Sequence, residues 1–324
     1  AADNLTRITD TGVLDLEYAY NLAGEVTQAW ISAPLEAVDV LTNTLTGLTY
    51  DNAMQILSPG FGYDARGRRT NDLSHAYAWD AASRLVRLDQ TEFDYDAQDN
   101  VMRRNADGST THYGRSFALN SRCLLTDGER WYVWTPGGRL LYSIEKNGGH
   151  AVRHYHSDRL GNVLALTDTT GGVADAYAYS SFGNLLCHNG TSGQPFTFQG
   201  LWGVMQLDAA GAIYRMGARC YDAATMAFVS PEPLWPRVGV AHAVNPYVYA
   251  AGDPVNRIDP SGLADRSSRD ILDILDELDR SYEEAKAADD AYFKDPDINL
   301  ATIGLVRALD EGGFPKALAL LQKA

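Results

Sequence analysis

A short phrase recurs along the chain and constrains its fold more than any other feature. It reads aromatic, any residue, aromatic or aliphatic, Asp or Asn, two residues, Gly, then Arg or Asn and an aliphatic residue. The clearest copy is FGYDARGRR, with Asp64 and Gly67. Looser copies place the polar residue at Asn21, Asp80, Asp96, Thr135, Asp158 and Ser180, and a degenerate copy lies at Tyr50-Asp51.

The phrase predicts a β-hairpin. Alternating aromatic residues put every second side chain on one face of a strand. Asp or Asn can bond the backbone two residues on and start a turn. Gly accepts a positive φ three residues later, which Ser83 and Asp99 tolerate less well. Because an open sheet edge is adhesive, successive hairpins are expected to pair into one long sheet. The alternative is an ordinary β-sandwich with common turns.

Charge and composition narrow the class of protein. The 324 residues carry a net charge of −15, with a pI near 4.8, which argues against nucleic acid or an anionic membrane surface as partner. No apolar run is long enough for a membrane span. The three widely spaced cysteines, Cys123, Cys187 and Cys220, predict small buried side chains, with one disulfide as the alternative. The first residues lack a signal core and read like the middle of a longer polypeptide.

These motifs resemble a known family. Y-D-x-x-G-R is the signature of YD repeats, the units of RHS proteins, of bacterial Tc-toxin C components and of teneurins. Residues 154–263 resemble the RHS repeat-associated core more specifically. FTFQGLWGVMQLDAAGAIYRMGARCYDAATMAFVSPEP is similar to its GLYYLRARYYDPxTGRFxSxDP segment, and NPYVYAAGDPVNRIDPSGL is similar to its NxYxYVxNNPxxxxDPxGL ending.

The resemblance implies a mainly β fold, a curved or spiral antiparallel sheet that closes into a hollow shell. The expected domains are YD-repeat hairpins over 1–153, the core over 154–263 and a cargo or docking segment over 264–324. The implied function is encapsulation and delivery within an RHS-type toxin or secreted effector, which would be secreted or cell-surface. Its partners would be its own C-terminal segment, upstream repeats or other copies of the chain. No cofactor is implied.

The resemblance also implies a self-cleavage site. In the family the DPxGL stretch is often cut after its Leu by an internal aspartic protease, which here means the Leu263–Ala264 bond. Asp259 is one expected carboxylate, and Glu232 stands where the family has the second Asp. Two carboxylates that share a proton can divide the roles of base and acid. The chain would therefore be, at most, a peptidase acting on itself.

Several residues depart from the family pattern or have a simpler interpretation. The extra methylene of Glu232 displaces its carboxylate by about 1 Å, and Trp235 stands where Gly is usual. Arg219 and Asp222 match a segment beside the site, where they either orient a catalytic group or form a structural ion pair. Asp259 before Pro260 also fits an ordinary turn.

Other chemistry has little support. His150, His154 and His156 are close in sequence, but a metal site would need a further ligand, for which Asp158 is the nearest candidate. Exposed strand histidines are the preferred interpretation, and no metal is predicted.

The tail from Ala264 carries 14 acidic and 8 basic residues, and its apolar spacing predicts three short helices. It is either cargo or a docking bundle. In the alternative function, the chain is a surface adhesin or assembly module whose aromatic strands bind glycan or a protein partner. A tail packed on the concave side of the sheet would favour the cargo hypothesis.

Overall fold

The computed structural model describes residues 4–35, 47–115, 123–135, 137–147, 149–233, 245–263 and 266–267. All of them belong to the first of two compact units, residues 1–274, and the second comprises residues 275–324. The three helices predicted after Ala264 lie outside the described residues. Within the described part of the chain, no helix is long and apolar enough to cross a membrane.

The described chain begins with a run of hairpins. A three-stranded sheet comprises β1 (Arg7–Asp10), β2 (Leu14–Tyr20) and β3 (Val26–Ser32). A small hairpin follows, with β4 (Gly62–Tyr63) and β5 (Arg69–Asn71). A five-stranded sheet comprises β6 (Tyr77–Trp79), β7 (Leu85–Leu88), β8 (Thr91–Tyr95), β9 (Val101–Ala106) and β10 (Ser109–His112).

The largest sheet has eight strands: β11 (Gly114–Arg115), β12 (Leu124–Thr126), β13 (Arg130–Trp134), β14 (Leu140–Glu145), β15 (Val152–Ser157), β16 (Val163–Thr167), β17 (Val173–Tyr179) and β18 (Leu185–Asn189). A four-stranded sheet comprises β19 (Met205–Gln206), β20 (Ile213–Met216), β21 (Arg219–Asp222) and β22 (Ala227–Phe228). The last pair is β23 (Arg257–Ile258) with β24 (Arg266–Ser267), and two 3-10 turns lie at Gly200–Trp202 and Ala250–Gly252.

Hydrogen-bonded neighbours in every described sheet are antiparallel and consecutive in sequence. The predicted fold class, mainly β and built from antiparallel hairpins, is therefore confirmed. The expected single long sheet is divided into several sheets, although an isolated bridge between Asn71 and Ala76 joins the hairpin of β4 and β5 to the next sheet.

The recurring phrase forms one particular turn. At the clearest copy, Asp64 Oδ1 accepts from the amides of Arg66 and Arg68 at 2.9 and 3.0 Å. The Gly67 amide donates to the Asp64 carbonyl at 2.9 Å, and Gly67 has a φ of 75°. The strand register shifts between Gly62 and Tyr63, just before the turn. This is a type I turn followed by a left-handed residue and a bulge, a common three-residue hairpin loop.

The other copies repeat this geometry. The same acceptance from the amides two and four residues on occurs at Asn21, Asp51, Asp96 and Asp158. Non-glycine residues occupy the left-handed position in three copies, namely Met54, Ser83 and Asp99, with φ of 62°, 66° and 64°. The hydrogen bonds of the turn therefore fix the left-handed conformation even where the side chain disfavours it.

Contacts between neighbouring turns explain the 16-residue spacing of Asp64, Asp80 and Asp96. Arg68 pairs with its own Asp64 at 2.6 Å and donates to the carbonyl of Asp80 at 2.7 Å. Arg84 does the same one repeat later, with its own Asp80 at 2.7 Å and the carbonyl of Asp96 at 3.3 Å. Each turn is thus tied to the next by one arginine.

In several copies, the aromatic residue just before the turn makes a second contact between repeats. The Trp79 indole donates to the carbonyl of Arg69 at 2.7 Å, and the Tyr95 hydroxyl donates to the carbonyl of Leu85 at 2.6 Å. Trp134 repeats the contact with Leu124 at 2.7 Å. An aromatic ring with a polar tip suits this position because the ring packs on the sheet while the tip satisfies a backbone carbonyl.

Replacing Ser83 with Gly is expected to stabilise the protein by about 0.5–1 kcal/mol, because it removes the cost of a left-handed side chain. The change also removes a 3.3 Å contact from Arg68. Ala82→Gly, at the neighbouring turn position without a positive φ, should instead destabilise. Urea unfolding midpoints test both variants, and a lower midpoint for Ser83→Gly would contradict the interpretation.

A shared core joins the five-, eight- and four-stranded sheets. Buried side chains in one cluster include Tyr77, Leu85, Tyr132, Val163 and Ile213. A second, more aromatic cluster contains Phe198, Tyr214, Tyr221, Phe228 and Tyr249. All three cysteines are free; Cys123 and Cys220 are buried as predicted, whereas Cys187 is exposed on the outermost strand, β18.

Candidate self-cleavage site

The DPSGL stretch forms a tight turn that brings Asp259 back onto Leu263. The Gly262 amide donates to the Asp259 carbonyl at 3.2 Å, and Gly262 has a φ of 63°. Asp259 Oδ1 accepts from the Ser261 hydroxyl at 2.9 Å and from the Leu263 amide at 3.2 Å. The Asp259 carboxylate therefore contacts the amide of Leu263, the residue whose carbonyl group belongs to the expected Leu263–Ala264 cleavage bond. Ala264 itself is outside the described residues.

This turn packs backbone to backbone against the connection between β20 and β21. The Ala218 amide donates to the Ser261 carbonyl at 2.9 Å. A Cβ at Gly217 would lie 2.3 Å from the Ser261 carbonyl oxygen, and one at Gly262 would lie 2.3 Å from the Met216 carbonyl oxygen. Glycine is required on both sides because no side chain fits such an approach.

Arg219 is the centre of the site. Its Nη2 lies 3.0 Å from a carboxylate oxygen of Glu232 and 3.2 Å from one of Asp259. Its Nε donates to the Gly262 carbonyl at 2.5 Å, and its Nη1 donates to the carbonyl of Pro246 at 3.1 Å. The three charged side chains are only 3%, 11% and 4% exposed for Arg219, Glu232 and Asp259.

The aromatic cluster supports this guanidinium from one side. The Arg219 guanidinium carbon lies 3.5 Å from the centre of the Phe228 ring, which is within cation–π range. Tyr249 is fully buried nearby, and its pKa is raised well above the usual value by burial and by the charge of Asp259. The phenol therefore stays neutral, whereas Arg219 contacts Asp259 as a cation.

The structure brings together the three residues predicted for the site, Asp259, Glu232 and Arg219. Their catalytic roles stay predictions. Asp222, the fourth residue considered, does not join them; it forms a 2.6 Å ion pair with Arg69 instead. The sequence had no signal for Phe228 or for the Pro246 carbonyl, since both approach Arg219 only through the folding of the chain.

The arrangement sets the chemistry that the site can perform. A guanidinium within hydrogen-bonding distance of two carboxylates can form charge-assisted hydrogen bonds with both. An ionised carboxylate can accept a proton from water, but the leaving amine needs a group that donates one. The cluster is therefore a buried network of charged contacts, an ionic lock, on the DPSGL turn. Peptide hydrolysis by two carboxyl groups needs one of them to act as the proton donor.

In the described part of the chain, the structure does not bring His150, His154 and His156 together as metal ligands. His156 uses both ring nitrogens, Nδ1 with Asp10 and Nε2 with Thr167, each at 2.8 Å. His154 is exposed, and Asp158 accepts from the amides of its own turn. Across the described ranges there is no group of three His, Cys, Asp or Glu side chains that could hold a metal ion.

Solved structures define the class of fold. The Photorhabdus luminescens Tc holotoxin pore is similar over 77% of this chain and 13% of that chain, with a TM-score of 0.54 and 16% identity. The TcdB2–TccC3 complex is similar over 77% of this chain and 17% of that chain, with a TM-score of 0.52 and 15% identity. At such identities the similarity shows the fold alone.

The sequence is also similar to that of known bacterial nucleases. The tRNA3(Ser)-specific nuclease WapA of Bacillus spizizenii and the tRNA nuclease WapA of Bacillus subtilis are each 26% identical to this chain over 241 residues, which is 70% of this chain. The chain spans about a tenth of the length of these relatives. No family model matches the chain. Together, the comparisons loosely support a resemblance to RHS-type, toxin-related proteins.

Proposed function

We propose that this chain is the end of an RHS-type shell that carries the segment after Leu263 as cargo, within a toxin-related protein. The observation that carries the proposal is the Arg219 lock. One buried guanidinium contacts Glu232, Asp259 and the Gly262 carbonyl at the last described turn before residue 264. Such a lock fixes the point at which the repeat-built region stops and the next segment starts.

The lock also supports self-cleavage after Leu263. Water would attack the Leu263 carbonyl carbon while one carboxylate accepts the water proton. The other carboxylate, in its protonated form, would donate a proton to the departing amine of Ala264. Arg219, which contacts both carboxyl groups, would hold them beside the turn that ends at Leu263. The Asp259 carboxyl group accepts a hydrogen bond from the Leu263 amide, so it lies close to the Leu263–Ala264 bond that must break.

Intact mass of freshly purified protein tests self-cleavage. The native chain is expected to yield a product ending at Leu263, and Asp259→Asn only the full-length mass. Asp253→Asn is the matched control, because Asp253 also starts a turn but bonds Asn256 rather than Leu263. A full-length native species at neutral and acidic pH would refute self-cleavage and leave the ionic lock with a structural role.

Co-elution tests encapsulation separately. After cleavage, residues 1–263 and 264–324 should elute together in native size-exclusion chromatography and separate only in denaturant. If the chain remains intact, limited proteolysis replaces this readout, and the tail should resist protease as well as the repeats do. Rapid digestion or separation of the tail under native conditions would contradict the cargo hypothesis.

A further inference from the structure

The turn that carries Asp259 is a variant of the turn in the repeats. In the clearest repeat, Asp64 Oδ1 accepts from the amides two and four residues on, and the Asp64 carbonyl accepts from the Gly67 amide. In the DPSGL turn, Asp259 Oδ1 accepts from the Leu263 amide four residues on, and the Asp259 carbonyl accepts from the Gly262 amide. Both glycines have a positive φ. The two turns therefore share these backbone contacts.

A side-chain hydroxyl also takes part in the DPSGL turn. The Ser261 hydroxyl donates to Asp259 Oδ1 at 2.9 Å and accepts from the Leu263 amide at 3.2 Å. At the same position of the repeat turn, Arg66 contacts Asp64 Oδ1 through its backbone amide. Every residue except proline has such an amide, so this contact does not select the side chain at residue 66. The contact at residue 261 does require a hydroxyl.

These contacts give the two oxygens of the Asp259 carboxyl group different neighbours. Oδ1 forms a triangle with the Ser261 hydroxyl and the Leu263 amide, whose sides are 2.9, 3.2 and 3.2 Å. Oδ2 lies 3.2 Å from Arg219 Nη2, which also lies 3.0 Å from Glu232. One oxygen is therefore held at the residue whose carbonyl would be attacked, and the other lies beside the guanidinium that contacts the second carboxyl group.

We propose that Ser261 is a positioning residue for cleavage after Leu263. Its hydroxyl would fix the rotation of the Asp259 carboxyl group and so keep Oδ2 beside Arg219. This inference rests on the proposed self-cleavage, in which one carboxyl group accepts a proton and the other donates one. Either role requires a carboxyl oxygen at a fixed place, because a displacement of about 1 Å can slow an enzymatic reaction about a hundredfold.

Ser261→Ala tests this role because it removes the hydroxyl and keeps the backbone of the turn. We expect cleavage to slow about 10- to 100-fold. Ser261→Thr keeps a hydroxyl on the same carbon and should cleave within about threefold of the native rate. The rates are measured by pulse-labelled cell-free synthesis of the full chain, followed by the masses of the products.

Gln98→Ala is the matched control for these rates. Gln98 occupies the same position in the repeat turn at Asp96, where its backbone amide donates to the carboxylate at 2.9 Å. Loss of its exposed side chain keeps that amide, so cleavage should proceed at the native rate.

Hydrogen exchange separates positioning of the carboxyl group from loss of the turn. The Ala218 amide donates to the backbone carbonyl of Ser261 at 2.9 Å, a contact that does not involve the hydroxyl. This amide should therefore exchange no faster in Ser261→Ala than in the native protein. Faster exchange would show that the variant loosens the whole turn, and the positioning role would be refuted.

The outcomes also distinguish this inference from self-cleavage itself. A native chain that is cut, together with Ser261→Ala at the native rate, would overturn the role of Ser261 and leave self-cleavage standing. The same conclusion would follow if Ser261→Thr were as slow as Ser261→Ala. A native chain that stays full-length would refute self-cleavage and the role of Ser261 together.

Discussion

Replacing Arg69 with methionine is expected to lower the free energy of unfolding by about 3–5 kcal/mol, the usual cost of leaving a buried charge without its partner. The Arg69 side chain is 1% exposed. Its Nη1 lies 2.6 Å from Asp222 and 3.3 Å from Asp72, and its Nη2 donates to Thr225 at 3.1 Å. Methionine would fill part of the space but would leave two buried carboxylates without their cation.

The large effect follows from the position of this residue. Burial alone would lower the pKa of Arg69, but the charge and hydrogen bond of Asp222, together with the nearby Tyr77 and Tyr63, outweigh it and the pKa is raised. Arg69 also joins parts of the chain 153 residues apart, since it belongs to β5 and Asp222 to β21. Its loss should therefore separate an early hairpin from the four-stranded sheet that also carries Arg219.

Urea unfolding followed by fluorescence measures this change. Arg7→Met is the matched control: Arg7 pairs with Asp15 at a similar 2.6 Å, but the two side chains are 55% and 42% exposed, so stability should not change measurably. The double variant Arg69→Met, Asp222→Leu should recover part of the loss, because no carboxylate remains at position 222. Equal effects of Arg69→Met and Arg7→Met would refute the buried-pair argument.

The hairpins could be predicted from the sequence because their information is local. An Asp that bonds amides two and four residues on, with Gly after it, specifies the turn at Asp64 without any distant contact. The same logic found the degenerate turn at Asp51. It did not predict where the sheet would divide, because pairing between hairpins depends on the packing of faces that are far apart in sequence.

At the candidate site, the sequence predicted which residues meet but not how they contact one another. Resemblance selected Asp259, Glu232 and Arg219, and the structure brings them together. It did not predict that the guanidinium would contact both carboxylates, nor that Asp222 would turn away to Arg69. Residues 219 and 222 lie on one short strand, and only the three-dimensional path decides which partner each one meets.

Replacing Gly217 with Ala should have the second large effect, a loss of about 2–5 kcal/mol in the free energy of unfolding. A left-handed φ of 47° costs a side chain about 1–2 kcal/mol, and displacing a packed neighbour adds about 1–3 kcal/mol. The new Cβ would lie 2.3 Å from the Ser261 carbonyl oxygen and 2.7 Å from its carbonyl carbon. These are backbone atoms, so the DPSGL turn itself must move.

The displacement would reach the candidate site. Ser261 and Leu263 both bond Asp259, so moving the turn should separate the carboxylate from Arg219 and stop any cleavage after Leu263. Hydrogen exchange should then show faster exchange of the Ala218 amide, which donates to Ser261 in the native protein.

Gly108→Ala is the control that separates the effect of the steric contact with Ser261 from the effect of the positive φ. Gly108 also has a positive φ, 75°, but a Cβ there would meet nothing within 4 Å. The loss of free energy of unfolding in Gly108→Ala should be limited to the cost of a left-handed backbone conformation, about 1–2 kcal/mol. The difference between the two variants in urea unfolding measures the close approach of the DPSGL turn to β20 and β21. Equal losses, with an unchanged Ala218 exchange rate in Gly217→Ala, would mean that the turn is not held against these strands and that the Arg219 lock does not fix the boundary at Leu263.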